Sequence, residues 1–415
     1  MKQGPNRPAR YRWIILGVLV FSGFSIMFCQ FQMSSRAAEI MGELNIDAAQ
    51  FAKISVAPSV FSIFFSVIAG MLADRYGSKR VISISLMLSA IGGVARAFAT
   101  GFASMFALTL LLGMGTAFLG ATRIKVMSAW YGLDVGFAVG VIVGGMNLGT
   151  VVAQAVAAYF PSLRAALLVS GLCVAAAALL WVTLGDESPA SKPGPVEKKP
   201  PATANLKPLL KNRYMWMVSA GGFVLLGAQM VVFSFMPQAL IQAKGLNQIS
   251  AGFISALLSL GVVCGNLFLS PKAFSIKKTN VFGALAAFCS GMAMIGAWVL
   301  VMPRILECLL FFIAGSGLGC TVSLVCGAPA MLPGTNQQNM GMSGGILNTL
   351  LQGGGFIVPS YIIAPICKTD TGADYRRMCI LSAVFILASI AVFLLLPNIS
   401  KKKTSETSAE AAPVV

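Results

Sequence analysis

Two cations two residues apart, Arg123 and Lys125, stand in the otherwise apolar run Gly-Ala-Thr-Arg-Ile-Lys-Val-Met-Ser-Ala-Trp-Tyr at 120–131. Such charges can attract an anion. Residues two apart on a helix point to different sides, so both cannot face one cavity squarely. Snorkelling to headgroups is the competing reading for this pair. Arg36, in Cys29-Gln-Phe-Gln-Met-Ser-Ser-Arg36, divides the same way between a ligand cation and an interfacial arginine at the outer surface. Uncharged amides add hydrogen-bonding capacity: Gln30 and Gln32, Asn147 and Gln154, Gln229 and Gln238, Asn266, Asn348 and Gln352. An unpaired amide in hydrocarbon is costly, so these should face an interior. Asn147 with Gln154, and Asn348 with Gln352, have spacings that share one helical face. Contacts between helices can also explain any one of them. The candidate ligand-binding set is Gln30, Arg36, Arg123, Lys125, Asn147, Gln154, Gln229, Asn348 and Gln352. Phe24, Phe28, Phe31, Phe233 and Phe235 supply either apolar walls or plain packing.

This inventory binds rather than transforms, and no catalysed reaction, cofactor or metal is expected. The chain has no His, and its 13 Asp and Glu fall in loops, tails or the ends of apolar runs. Proton-driven carriers need a titratable group near the membrane midplane. Only Glu307, near the outer end of the tenth run, is embedded enough to be considered. The cysteines read as small packing residues, with a Cys367–Cys379 pair as an open possibility.

The elements that must position these groups are membrane helices. Apolar residues make up 57% of 415 and charged residues 10%, too few charges to cover a water-soluble surface. Twelve apolar runs are long enough to cross the bilayer: roughly 13–35, 51–73, 81–99, 103–125, 136–159, 163–185, 214–242, 249–271, 280–302, 305–329, 339–364 and 378–397. The chain therefore reads as an all-α polytopic membrane protein. With both termini cytoplasmic, most Lys and Arg fall on the inside, leaving Arg36, Lys53, Arg96, Arg164, Lys244, Arg304, Lys368, Arg376 and Arg377 outside. The net charge of +17 is thus a topology signal, and a nucleic-acid partner is not expected. The basic start is read as flanking a retained first helix rather than a signal peptide. Arg96, at the end of the third run, is read as an interfacial anchor.

Residues 186–212 mix Pro189, Pro193, Pro195, Pro200, Pro201 and Pro208 with charges and read as a solvated linker. It separates a six-helix bundle at 1–185 from a second at 213–400, followed by a tail at 401–415. The halves echo each other. Leu44-Asn45-Ile46-Asp47-Ala48-Ala49-Gln50-Phe51 and Leu246-Asn247-Gln248-Ile249-Ser250-Ala251-Gly252-Phe253 precede the second and eighth runs, with Asp47 and Ser250 as candidate helix caps. Glycines also recur along the fifth run (Gly140, Gly144, Gly145, Gly149) and the eleventh (Gly341, Gly344, Gly345, Gly353, Gly354, Gly355). Small residues at that spacing serve close packing, a mobile interface between halves, or both.

Between the second and third runs, Gly70, Asp74, Arg75, Gly77, Lys79 and Arg80 fall in a G-x-x-x-D-R-x-G-x-[KR]-[KR] pattern. It resembles the signature of the major facilitator superfamily. The resemblance implies twelve transmembrane helices in two six-helix pseudo-repeat bundles and a solute carrier working by alternating access. In that family the matching acid helps lock the outward-open state, so Gly70, Asp74, Arg75, Gly77 and Arg80 are expected to gate. Asp74 would be answered by the start of the eleventh helix near 336–341, with no acid at the matching place in the second half. Lys125, Trp130 and Gly136-Phe-Ala-Val-Gly140 are similar to a stretch of the organic-acid, oxalate/formate, nitrate and cyanate-type branches, although Gly132-Leu-Asp-Val135 replaces its usual Pro and basic residues. Two proton-linked signatures are missing. Thr109 stands where proton-coupled members carry an Arg, and Met146-Asn147 stands where drug/proton antiporters carry Gly-Pro. The expected function is uniport or exchange of a small, carboxylate-like solute by a monomer in the cell membrane of a bacterium. Efflux of amphipathic compounds, favoured by 21 Met and 27 Phe, is the alternative; a non-transporting sensor is more remote.

Overall fold

The structure, a computed structural model, describes residues 11–131, 135–186, 211–275, 279–328, 340–366 and 371–395. Among the described residues, twelve helical stretches are long and apolar enough to cross a membrane, and twelve α-helices form their main parts. They are α1 (Tyr11–Phe31), α2 (Ala57–Tyr76), α3 (Ser78–Ala95), α4 (Phe102–Tyr131), α5 (Val135–Val156), α6 (Leu163–Leu184), α7 (Arg213–Lys244), α8 (Gln248–Cys264), α9 (Thr279–Val299), α10 (Arg304–Gly327), α11 (Met340–Ile357) and α12 (Gly372–Leu395). Because each span reverses direction, the start of α1, the α2–α3 turn and the end of α6 share one face of the bundle, called here the linker face. The opposite side is the far face.

Within the first six helices α1 packs on α5 and α6, α2 on α4, and α3 on α4 and α6. In the last six, α7 packs on α11 and α12, α8 on α10, and α9 on α10 and α12. The two sets meet through α5–α8 and α2–α11.

Local chemistry sets several boundaries. Asp47 caps the short helix Ala48–Ser55 in a reciprocal box with Gln50, as its residue type predicts. In the second half the cap is Asn247, whose Oδ1 accepts from the Ser250 amide at 2.8 Å. Ser250 is therefore the capped residue and not the cap, because the chain turns helical three residues earlier than its hydroxyl suggested. The break before α2 falls at Val56, ahead of Pro58, which has no amide hydrogen to continue a ladder. Two helices open into π-helical turns, at Gly265–Leu269 after α8 and at Val358–Ile363 after α11. Gly77 adopts φ 90°, a conformation costly for any residue with a Cβ, and its amide closes α2 on the Ala73 carbonyl at 3.2 Å. That accounts physically for the glycine in the motif.

The glycine echo resolves into two roles. A side chain on Gly149 would collide with the Phe24 carbonyl of α1, and one on Gly354 with the Phe223 carbonyl of α7. Gly23 lies against Met146 as Gly222 lies against Leu351. These are matching crossings inside each set of six. A side chain on Gly140, Gly344 or Gly345 would instead meet no atom within 4 Å, and a Cβ placed on Gly144 would lie 3.8 Å from Leu267 of the other set.

Candidate functional site

The far face is shut. Phe31 meets Phe233 edge-on with ring centroids 5.4 Å apart, and Phe51 meets Phe235 at 5.8 Å. Lys53 sits 5.1 Å from the Tyr361 ring. Gln154 of α5 is buried at the centre of this seal. Its Nε2 donates to the Phe233 carbonyl at 3.1 Å, its Oε1 accepts from Ser259 Oγ at 2.6 Å, and its own carbonyl accepts from Ser35 Oγ at 3.2 Å. Gln248 Nε2 adds a bond to the Ser35 carbonyl at 3.0 Å. Such bonds in a protein interior are made only while the two sets of helices touch here.

Toward the linker face several glycines are uncrowded: a methyl group placed on Gly70 of α2, Gly140 of α5 or Gly344 of α11 would meet no atom within 4 Å. Arg123 stands near this end of α4. Its guanidinium is directed at Met146 Sδ, 3.2 Å away, and its buried Nε has no partner among the described residues. Sulfur is a weak acceptor, so most of the arginine's hydrogen-bonding capacity is unspent. Asn147 lies on the same face of α5 as Gln154, two turns nearer the linker face, while Asn348 is exposed and Gln352 half-buried on α11. Among the described residues none of these three amides has a hydrogen-bond partner. Gln30 and Gln229 lie deeper, 4% and 6% exposed. Arg123 thus stands toward the linker face with Asn147, Asn348 and Gln352 unpartnered among the described residues, and Gln30 and Gln229 lie deeper.

Several expected ligand residues have other occupations. Arg36 is buried and donates to the Ala157 and Phe160 carbonyls and to Glu39 at 2.8 Å, which ties the end of α1 to the end of α5. Its donors are spent on helix ends, because a buried guanidinium must satisfy all its N–H groups. Gln154 is likewise committed to the far-face seal. Lys125 turns away from Arg123 and donates to the Ala73 carbonyl at 2.9 Å, pinning the last turn of α2 beside the motif. The interior anion reading is thus carried by Arg123 alone of the three cations.

Of the motif, Arg75 lies over the Tyr76 ring at 5.2 Å, and both it and Arg80 are exposed at the linker face. The Asp74 side chain, residues 336–339 and Cys367 lie outside what is described, and with them the expected bridge and the open disulfide. Arg96 was missed. Rather than anchoring at an interface it is 1% exposed, donating from Nη2 to the Cys29 carbonyl at 2.6 Å with Cys29 Sγ at 2.8 Å. A position at the end of a span reads the same in sequence whether it turns out to lipid or in to a neighbour. Glu307 is held by Lys244 at 2.6 Å and Arg304 at 3.3 Å at the far face, fully paired rather than free at the midplane.

Twelve candidate spans among the described residues, closed together on one face, make this a polytopic membrane protein. The family model described as Major Facilitator Superfamily matches residues 13–359, and the chain belongs to that superfamily of secondary transporters. Similar proteins include a probable nitrate/nitrite antiporter of Thermus thermophilus, 26% identical with 93% of this chain and 91% of that protein covered. A hexuronate transporter of Bacillus subtilis is 24% identical (87% and 89% covered), and a D-galactonate transporter of Escherichia coli is 23% identical (95% and 98% covered). In fold, the chain is similar to an inward-facing bacterial homolog of the human lysosomal transporter Spinster, with TM-score 0.76, 16% identity and 98% and 99% covered.

Proposed function

We propose that the protein exchanges or uniports a small organic anion across the cell membrane by alternating access. The single observation that carries this is Arg123, a half-buried guanidinium with unspent donors inside the helical bundle toward the linker face. A charge held where water is scarce is costly to leave unpaired, so an anion entering the bundle is favoured electrostatically. The relatives that carry nitrate, nitrite, hexuronate and galactonate support an anionic cargo. Residues 1–185 and 213–400 would rock as two bodies joined by the linker at 186–212. The distribution of Lys and Arg supports a cytoplasmic linker face, and the seal on the far face would then make this an inward-facing arrangement. Gln30, Asn147, Gln229, Asn348 and Gln352 would orient the ligand. Gly70, Asp74, Arg75, Gly77 and Arg80 would close the cytoplasmic side in the opposite state. Arg36, Lys125 and Gln154 would act on helix ends and on the far seal.

Counterflow in proteoliposomes tests this. Trans-stimulated uptake of a carboxylate without a pH gradient, lost on Arg123→Gln but retained on Lys125→Gln, is the expected result. Uptake strictly dependent on a proton gradient, or an Arg123→Gln variant with unchanged anion affinity, would overturn it.

A further inference from the structure

The matching crossings give the two sets of helices a common register. The shift in numbering that carries Gly23 and Phe24 onto Gly222 and Phe223 also carries Gln30 onto Gln229. The shift that carries Met146 and Gly149 onto Leu351 and Gly354 carries Asn147 onto Gln352. Four of the amides are therefore two pairs of equivalent positions, one pair on α1 and α7 and one on α5 and α11. Asn348 falls outside the pattern, since its equivalent is Val143.

The deeper pair has a definite polarity. The helix break at Val56 leaves the Ser55 carbonyl free, because the Ser59 amide bonds to Val56 instead. Gln30 Nε2 donates to that carbonyl at 3.2 Å. The amide orientation is fixed by this bond, and Oε1 is left as an acceptor with no donor among the described residues. At the equivalent position Gln229 Oε1 is buried and likewise has no donor. Two unpartnered acceptors at equivalent depths, the Gln229 oxygen fully buried, call for hydrogen-bond donors from whatever occupies the site. A bare oxyanion or a second carboxylate offers only acceptors. An ammonium would need a carboxylate nearby, and the acids among the described residues stand at helix ends or outside the long helices. Hydroxyl groups meet the demand without a charge.

Resting on the anion-carrier reading above, we infer that the solute is a hydroxylated monocarboxylate, its carboxylate met by Arg123 and its hydroxyls by Gln30 and Gln229, rather than an inorganic oxyanion. The deeper amides then discriminate by hydroxyl content, and Arg123 by charge.

Binding to the purified full-length protein in nanodiscs separates these contributions. The probes are glycerate and gluconate, their deoxygenated counterparts propionate and hexanoate, nitrate, and sorbitol as a neutral polyol. At least one hydroxy acid should bind roughly tenfold or more tighter than its deoxygenated counterpart and than nitrate, the scale expected when a buried acceptor loses its donor. Gln229→Met and Gln30→Met should each collapse that ratio toward one. Lys125→Gln, whose side chain is held on the Ala73 carbonyl, should leave it intact, and Arg123→Gln should weaken both acids in parallel. The ratio is read within each variant, so a variant of lowered stability still reports. Nitrate binding as tightly as the hydroxy acids, or a ratio unchanged in both glutamine variants, overturns the inference while leaving the anion reading in place. Sorbitol binding that depends on Gln30 and Gln229, with no carboxylate bound, keeps the hydroxyl site and overturns the anion reading. Binding of none of the probes overturns both.

Discussion

Replacing Gln154 with Leu should shift the protein toward the state in which the far face is open. The side chain keeps its bulk but loses the donor to the Phe233 carbonyl and the acceptor for Ser259 Oγ. Hydrogen bonds between membrane helices are worth about 0.6 kcal/mol on average and up to ~1.7 each. Two of them, present only while the face is closed, amount to about 1–3 kcal/mol of differential stability. That corresponds to roughly 5- to 150-fold in the conformational equilibrium. Spin labels at Glu43 and Val301, both exposed at the far face in opposite sets of helices, report the opening in a cysteine-free background. A longer distance component should appear or grow in Gln154→Leu, and to a smaller degree in Ser259→Ala. A distance distribution and an exchange rate that stay at wild-type values, both in Gln154→Leu and in its combination with Ser259→Ala and Phe31→Ala, would refute the idea that this cluster is a conformational latch.

Further outcomes are expected elsewhere. Gly149→Val and Gly354→Val place a side chain against the Phe24 and Phe223 carbonyls, and each should lower the thermal unfolding temperature in detergent, while Gly344→Ala, whose added methyl meets no atom within 4 Å, should not. Arg96→Leu should destabilise by about 1–3 kcal/mol through the buried Cys29 carbonyl it leaves bare, with anion affinity of the surviving folded protein unchanged. Gly77→Ala should cost about 1 kcal/mol or more in stability because of its positive φ, and Lys79→Ala, whose backbone is helical, should cost less. Lys244→Met strips the half-buried partner from buried Glu307 and should destabilise more than Arg304→Ala, whose side chain is exposed.

The membrane architecture was legible because hydrocarbon imposes one demand, an unbroken apolar length, that survives without knowledge of packing. The Asp47 cap and the divergence of Arg123 from Lys125 were legible for the same kind of reason, since helix geometry alone decides them. What sequence could not supply was the side to which a polar group turns once neighbours are present. Gln154 and Asn147 share a face, yet Gln154 is absorbed by α7 and α8 where the sets touch while Asn147 has no hydrogen-bond partner among the described residues. Arg36 and Arg96 follow the same logic. Each sits at the end of a span, and each is claimed by a carbonyl that only the folded arrangement brings within reach.

The register between the two sets of helices also gives the chain an internal ruler. A substitution at Gln30 or Asn147 has a built-in counterpart at Gln229 or Gln352, so one molecule supplies both the experiment and its control. Departures from that ruler are informative in their own right. Gln154 corresponds to Pro359, at the π-helical turn after α11, so the far-face latch exists once and not twice. Where the two halves agree they describe a shape the ligand meets from either side. Where they differ, at the latch as at Arg123, they give the machine a handedness that makes its two faces unequal.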